Sequence, residues 1–378
     1  MTEIEVALAI SARDWPDRIH RFLADHGGAR VRAQVLSAED ATTEAFQVLI
    51  IDDICSFLTP RLVEKMRRQR RMVLGVFDPI EAPDGKERLL ECGVDLVIEA
   101  DAEADEFVIA LRTLALTEEP IPVEVEPTAA VRSKRNLYVV GGPPGGCGAT
   151  ELAVALTHRL SSRGPTVLID ADEVSASLAQ RLGLPLLPNL RSALDVLNHR
   201  PDTLRKTLIS FDRFMVLTGL SGERDWMEIR PGQIGDLLAE LCSQFQHVVV
   251  NCGSLLEQVG FADTGRFGIT RQVVAMADCL VGVGLPTPVG ITRLLTWAAD
   301  STELNSTAFM HLVVNRRPRS RYRRAEVMEE IDRAIPGAAI SFLPEDPAVE
   351  TAAWTGSLVP SGLYVRTVRK LADRIART

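Results

Sequence analysis

Residues 137–151 read Leu137-Tyr138-Val139-Val140-Gly141-Gly142-Pro143-Pro144-Gly145-Gly146-Cys147-Gly148-Ala149-Thr150-Glu151. An apolar, strand-like run (137–141) passes through a glycine-rich loop into a helical pattern over 150–162. In that context backbone N–H groups and the helix dipole bind phosphate. Glycines let a phosphate approach the backbone and supply the positive φ angles such a loop needs. A plain Gly/Pro turn has the same composition, so the surrounding chain has to decide between the two.

Downstream, short apolar runs recur at 166–170, 214–217, 246–250, 279–283, 311–315 and 339–342. Continuous runs such as HVVV at 247–250 fit strands buried on both faces of a parallel sheet. A last helix is predicted over 362–377. Upstream, β-branched runs at 4–10, 31–36, 47–52, 72–77 and 94–98 alternate with helical patterns at 14–26, 38–46, 58–69, 82–92 and 103–116. Phe107, Leu111 and Leu114 share one face of the last of these helices. Five βα units in this length predict a doubly wound parallel sheet. Residues 117–134, with Pro120, Pro122, Pro127 and several glutamates, break the pattern and read as a semi-extended linker. The expected organisation is therefore an α/β domain over 1–116, a linker over 117–134, and a second α/β domain over 135–378.

Composition bounds the function. The chain has 378 residues, 46% of them hydrophobic, and a net charge of −9. An acidic chain with 5% aromatics is a poor general nucleic-acid coat or base-stacking platform, so no specific nucleic acid is expected. Six scattered cysteines, none in a C-x-x-C pair, suggest a reduced chain without a disulfide framework. The six histidines show no metal-ligand spacing. Glu3 and Glu5 stand where a signal peptide carries positive charge, and no apolar run has bilayer length, so a cytoplasmic location is expected.

Several motifs, in order, resemble the MinD/ParA family of P-loop ATPases. The family's deviant loop, K-G-G-x-G-K-[ST], aligns with Pro144 through Thr150. VLIDADEVSASLAQRLGL (167–184) resembles the second strand and switch I, with Asp170 and Asp172 as its D-x-D. HVVVNCGS (247–254) resembles the Walker B strand, and HLVVNRR (311–317) the strand that ends in the adenine-contacting Asn315. ISFLPEDPAVETAAWTGSLV (340–359) resembles the late loop that lies beside the nucleoside, which implies Pro344 and Asp346 as contacts. The resemblance implies ATP or ADP on Gly145, Gly146, Cys147, Gly148, Ala149, Thr150 and Glu151, with Mg²⁺ on Thr150 and, through water, Asn251. Asp172 would be the acid that positions an attacking water.

The departures are as informative as the matches. The signature lysine falls on Pro144, the P-loop lysine on Ala149 and the Walker B acid on Asn251. A hydrogen bond to a charged group contributes ~1.5–3 kcal/mol, so two lost lysines weaken nucleotide binding substantially. Hydrolysis needs the developing phosphate charge neutralised, which predicts little or no turnover. The basic run from Arg316 to Arg324 offers compensating cations, but a solvated loop or partner contact is the simpler reading.

A receiver-like domain joined to a MinD-type domain resembles the TadZ/CpaE group, which helps localise and assemble Flp/Tad pili. Related actinobacterial proteins are septum-site determinants, so a MinD-like switch in cell division is the competing expectation. The resemblance implies a homodimer and contacts with pilus or secretion machinery proteins. Receivers are phosphorylated on an Asp after their third strand, here Asp52 or Asp53. The acid pair expected after strand one is replaced by Ser11-Ala12-Arg13-Asp14. The expected hydroxyl falls on Phe77-Asp78, and the lysine on Glu99-Ala100-Asp101. A pseudo-receiver used for protein contacts is expected.

The last helix places Val365, Val368, Leu371 (or Ala372) and Ile375 on one face, with arginines and a lysine elsewhere. Such a helix over 363–378 either lies on an anionic membrane surface, making the chain peripheral at the inner face of the cell membrane, or closes the domain. Trp226 and Trp354 lie in loop-like segments and are expected to be partly buried. Cys147 at a helix N-terminus raises the prospect of a lowered thiol pKa.

Overall fold

The computed structural model describes residues 4–115, 136–222, 224–258 and 266–376. The predicted linker at 117–134 lies outside the described residues. The chain divides into two compact units, one built mainly from the first 131 residues, the other mainly from Arg132 onward.

The first unit alternates β1 (Ile4–Ala9), α1 (Trp15–His26), β2 (Ala29–Val35), α2 (Ala38–Thr43), β3 (Val48–Asp52), α3 (Pro60–Arg68), β4 (Met72–Phe77), α4 (Gly85–Glu91), β5 (Leu96–Glu99) and α5 (Ala104–Ala115). Its sheet is parallel throughout, in the order β2-β1-β3-β4-β5. This is the flavodoxin-like order, whose switch point lies between β1 and β3. Alternate side chains of each strand feed opposite cores. Val6, Leu8, Val48 and Ile50 pack with Trp15, Phe107 and Leu111 on one side. Ala7, Leu49 and Ile51 pack with Leu62, Met66 and Leu89 on the other. Burial on both faces explains why these strands read as unbroken apolar runs.

The second unit is built on eight strands. Its first half comprises β6 (Leu137–Gly141), α6 (Ala149–Leu160), β7 (Thr166–Ala171), α7 (Leu178–Leu182), α8 (Leu190–His199), β8 (Ile209–Phe211), β9 (Phe214–Leu217), α9 (Pro231–Gln244) and β10 (His247–Cys252). The rest comprises α10 (Gly268–Met276), β11 (Cys279–Gly284), α11 (Pro288–Leu304), β12 (Phe309–Val314), α12 (Arg321–Ala334), β13 (Ala339–Phe342), α13 (Pro347–Trp354) and α14 (Leu363–Ile375). The order is β13-β12-β11-β6-β10-β7-β9-β8, parallel except for the edge strand β8. β6 lies centrally, between β10 and β11. Period two again sorts the side chains. Leu137, Val139, Val248 and Val250 face one core, whereas Tyr138, Val140 and Val249 face the other.

Three local expectations change, and of the two readings of the last helix the one that closes the domain holds. The three-residue edge strand β8, which closes a hairpin on β9, is too short to show periodicity. The basic run at 316–324 is only partly a loop: Ser320 accepts from Arg323 N and caps α12, which starts at Arg321. Trp226 packs partly buried on the core, but Trp354 at the end of α13 is 85% exposed. The apolar face of α14 is not open to a membrane. Tyr364, Val368, Leu371, Ala372 and Ile375 are buried in the core that also holds Leu152, Leu156 and Leu160 of α6. Among the described residues no helix is long and apolar enough to cross a membrane.

Candidate functional site

The loop between β6 and α6 stands at the C-terminal end of the central strand. Four glycines on it have positive φ: Gly142 (159°), Gly145 (118°), Gly146 (68°) and Gly148 (95°). Nothing lies within 4 Å of where a Cβ on Gly146 would point, so the loop's outer side is open there. A Cβ on Gly148 would stand 2.4 Å from the Asn315 side-chain nitrogen, so this position excludes any side chain. Gly148 caps α6 without a side-chain acceptor. The first N–H groups of a helix lack intrahelical partners and favour an anion; here that of Ala149 faces the Cys147 sulfur.

The predicted site residues divide into those at the loop and those engaged elsewhere. Asn315 Nδ2 donates to the Cys147 carbonyl (2.9 Å), and its Oδ1 accepts from Arg316 N (2.8 Å). Asn315 therefore braces the loop. Thr150 Oγ1 lies 3.3 Å from Ser177 Oγ. Glu151 is turned away: Arg181 donates to both its oxygens, Nη2 to Oε2 at 2.9 Å, while Arg181 Nη1 reaches the Ala352 and Ser357 carbonyls. Asp346 caps α13 by accepting from Ala348 N, and Pro344 is buried beside it. Asp172 Oδ1 accepts from Val174 N (3.0 Å) and Ser175 N (2.9 Å), holding the turn that follows β7. Burial pushes the Cys147 thiol up, opposite to the lowering expected from the helix terminus alone.

Asp170 is wholly buried and accepts from Ser177 N (2.7 Å), Leu178 N (2.8 Å) and Asn251 Nδ2 (3.0 Å). Burial pushes its carboxyl up to about 6 despite these donors. Parallel pairing sets Asn251 opposite both Asp170 and Val140. A carboxylate at 251 would meet Asp170 in a dry interior, whereas the amide donates to it. The loop thus fits the phosphates of a nucleotide. The residues around Thr150 do not fit Mg²⁺ by themselves, because Asp170 already accepts from four N–H donors, Asp172 N (3.5 Å) included, and Asn251 is neutral. Among the described residues no three His, Cys, Asp or Glu side chains converge as a metal site.

Two residues escape the sequence reading. Arg293 on α11 places Nη1 3.9 Å from the Cβ position of Gly145. It is exposed and has no ion pair or side-chain hydrogen bond among the described residues. Nothing in its local sequence marks it, because α11 joins the loop through the sheet. Glu173 is buried, and its Oε1 accepts from Thr270 N (3.1 Å) at the start of α10.

The corresponding end of the first sheet is built differently. Asp52 is buried and accepts from Ser11 Oγ and from Trp15 Nε1 (3.2 Å). Burial raises its pKa. Asp53 lies between two guanidinium groups, Arg13 Nη1 at 2.6 Å and Arg88 Nη2 at 2.8 Å. Arg13 Nε also reaches Glu81 (2.9 Å). Arg13 is thus more than a missing acid, since it brings the opposite charge to the aspartates.

A mostly parallel sheet with a glycine loop leading from its central strand into a helix is the fold of the MinD/ParA P-loop ATPases, and the second unit has it. No protein-family model and no curated protein sequence matches the chain. Among solved structures, a ParA family ATPase from Chlorobium tepidum is similar with a TM-score of 0.54 and 17% identity, over 63% of this chain and 99% of that one. The cell division ATPase MinD of Pyrococcus furiosus gives 0.52 and 18%, over 65% and 99%. The septum site-determining protein MinD of Pyrococcus horikoshii, a complex with Mg-ADP, gives 0.51 and 16%, over 64% and 95%. At such identities the likeness is one of fold.

Proposed function

We propose that this chain is a localisation and assembly hub, of the TadZ/CpaE kind, for a pilus or related secretion apparatus. Its second unit holds ADP or ATP on the backbone of 145–150 and turns it over slowly or not at all. The observation that carries this reading is the contrast between the loop's backbone and the side chains in and beside it. Gly145, Gly146 and Gly148 keep the positive φ angles of a phosphate cradle, while 144, 149 and 251 hold Pro, Ala and Asn. The adjoining acid, Asp170, is tied to Asn251 rather than left for a metal.

In this reading the nucleotide is a structural ligand. The helix N-terminus binds the phosphates, Asn315 keeps the loop closed on them, and Arg293 is placed to add charge from the open side. The first unit is a pseudo-receiver that binds proteins, because both of its aspartates are already hydrogen-bonded or ion-paired. The chain acts as a homodimer at the cytoplasmic face of the membrane, recruited there through machinery proteins.

A working MinD-like switch that governs septum placement is the second reading. Arg293 beside the loop favours it, since one cation there restores part of the lost charge. Steady-state ATP turnover of the full chain and of the Ala149→Lys, Asn251→Asp double variant separates the two. The hub reading expects negligible wild-type turnover and a gain in the double variant. Wild-type turnover equal to that of an intact family member would overturn it in favour of the switch.

A further inference from the structure

A cavity in the second unit runs along α6 from Glu151, the residue after Thr150. It encloses about 220 Å³ between α6, α14 and the segment leading into α14. Val154, Ala155, Val359, Val365 and Val368 form its apolar floor. Arg159, Arg213 and Arg369 form its rim, contributed by α6, the β8–β9 turn and α14. At one end Arg181 is matched by Glu151, so the three rim arginines are unopposed within the lining. Arg213 and Arg369 are exposed, with no ion pair or side-chain hydrogen bond among the described residues. Arg159 Nε is buried with no partner.

A chain of net charge −9 concentrates three guanidinium groups from separate elements around one apolar hollow. Apolar side chains and carboxylates are the complementary chemistry. The volume falls below the ~300 Å³ lower bound of pockets that enclose whole drug-sized ligands. It suits one or two branched apolar side chains carried by a larger partner.

We propose that this cavity docks an acidic segment of a partner protein, with an apolar anchor residue in the hollow and flanking carboxylates on Arg159, Arg213 and Arg369. The inference is independent of whether the phosphate loop holds nucleotide.

The test uses the full chain and a fluorescein-labelled peptide with two adjacent leucines flanked on each side by two acidic residues. Fluorescence polarisation should show saturable binding that weakens with added salt. The Arg213→Glu, Arg369→Glu double variant changes two exposed side chains and should weaken binding at least ~10-fold, at an unchanged unfolding midpoint. Ala155→Trp, which fills the hollow, should weaken it as much. A peptide with alanines in place of the leucines should bind at least ~10-fold less tightly. No saturation up to ~1 mM peptide would overturn the proposal. So would equal binding of the alanine peptide, which would mark a mere basic patch. Displacement of the peptide by decanoate at stoichiometric concentration would overturn it in favour of a small amphiphile.

Discussion

The C-terminal ends of the two sheets carry charge in opposite arrangements. In the first unit two adjacent aspartates stand at the end of β3, and Asp53 is held by Arg13 and Arg88. In the second unit a glycine loop with positive φ angles carries Pro144 and Ala149 and no cationic side chain of its own. The first arrangement is internally neutralised and needs no ligand. The second presents the N-terminus of α6, whose first N–H groups have no intrahelical acceptors, and so still favours an anion. The same parallel-sheet geometry therefore yields a closed site in one unit and an open one in the other.

The sharpest way to break this contrast is to open the closed site. Asp53→Ala leaves Arg13 as a largely buried cation with its other partner, Glu81, exposed. Removing one member of a buried pair costs about 3–5 kcal/mol. Urea unfolding should show that loss in the first unit, and Asp53→Asn should recover part of it. A small phosphodonor should add no phosphoryl group to the wild-type chain, as read by intact mass.

The buried acid of the second unit gives the next largest effect. The folded-state pKa of Asp170, about 6, lies above its ordinary value of 3.8. Its contribution to stability is thus fully present below about 3.8 and is lost as pH rises through about 6. A two-unit shift corresponds to ~3 kcal/mol. Asp170→Asn should flatten the stability curve between pH 4 and 6, as followed by chemical denaturation at each pH.

Asn251→Asp should cost ~1–3 kcal/mol, because a donor to Asp170 becomes a second buried carboxylate. Mg²⁺ with ADP should restore part of that loss in a thermal shift. Arg293→Ala should have the smallest effect. An exposed cation contributes ~0.2–1 kcal/mol, so ADP affinity should fall severalfold at low salt and less at high salt.

Much of the fold was legible because strands buried on both faces advertise themselves as apolar runs. Val248–Val250 and Leu49–Ile51 are examples. The short edge strand β8 left no such mark, and Ser320 as a cap inside a basic run was read as loop. In the site, the positive φ of Gly148 was legible from the loop pattern, whereas its lack of Cβ is required by Asn315, far along the chain. Roles set by third partners were not legible either. Glu151 looks like a phosphate-side acid until Arg181 is seen to hold it, and Arg293 reaches the loop from a distant helix. The fate of α14 was ambiguous for the same reason, since an apolar face suits a membrane or a core equally well until its neighbour, α6, is placed.

The measurement that tests the central claim most directly is a calorimetric titration of the full chain with ADP, in Mg²⁺ and again in excess EDTA. A backbone cradle without a metal-holding acid predicts saturable binding of one ADP per chain that persists in EDTA. No binding in either condition, or binding that vanishes when Mg²⁺ is removed, would contradict it.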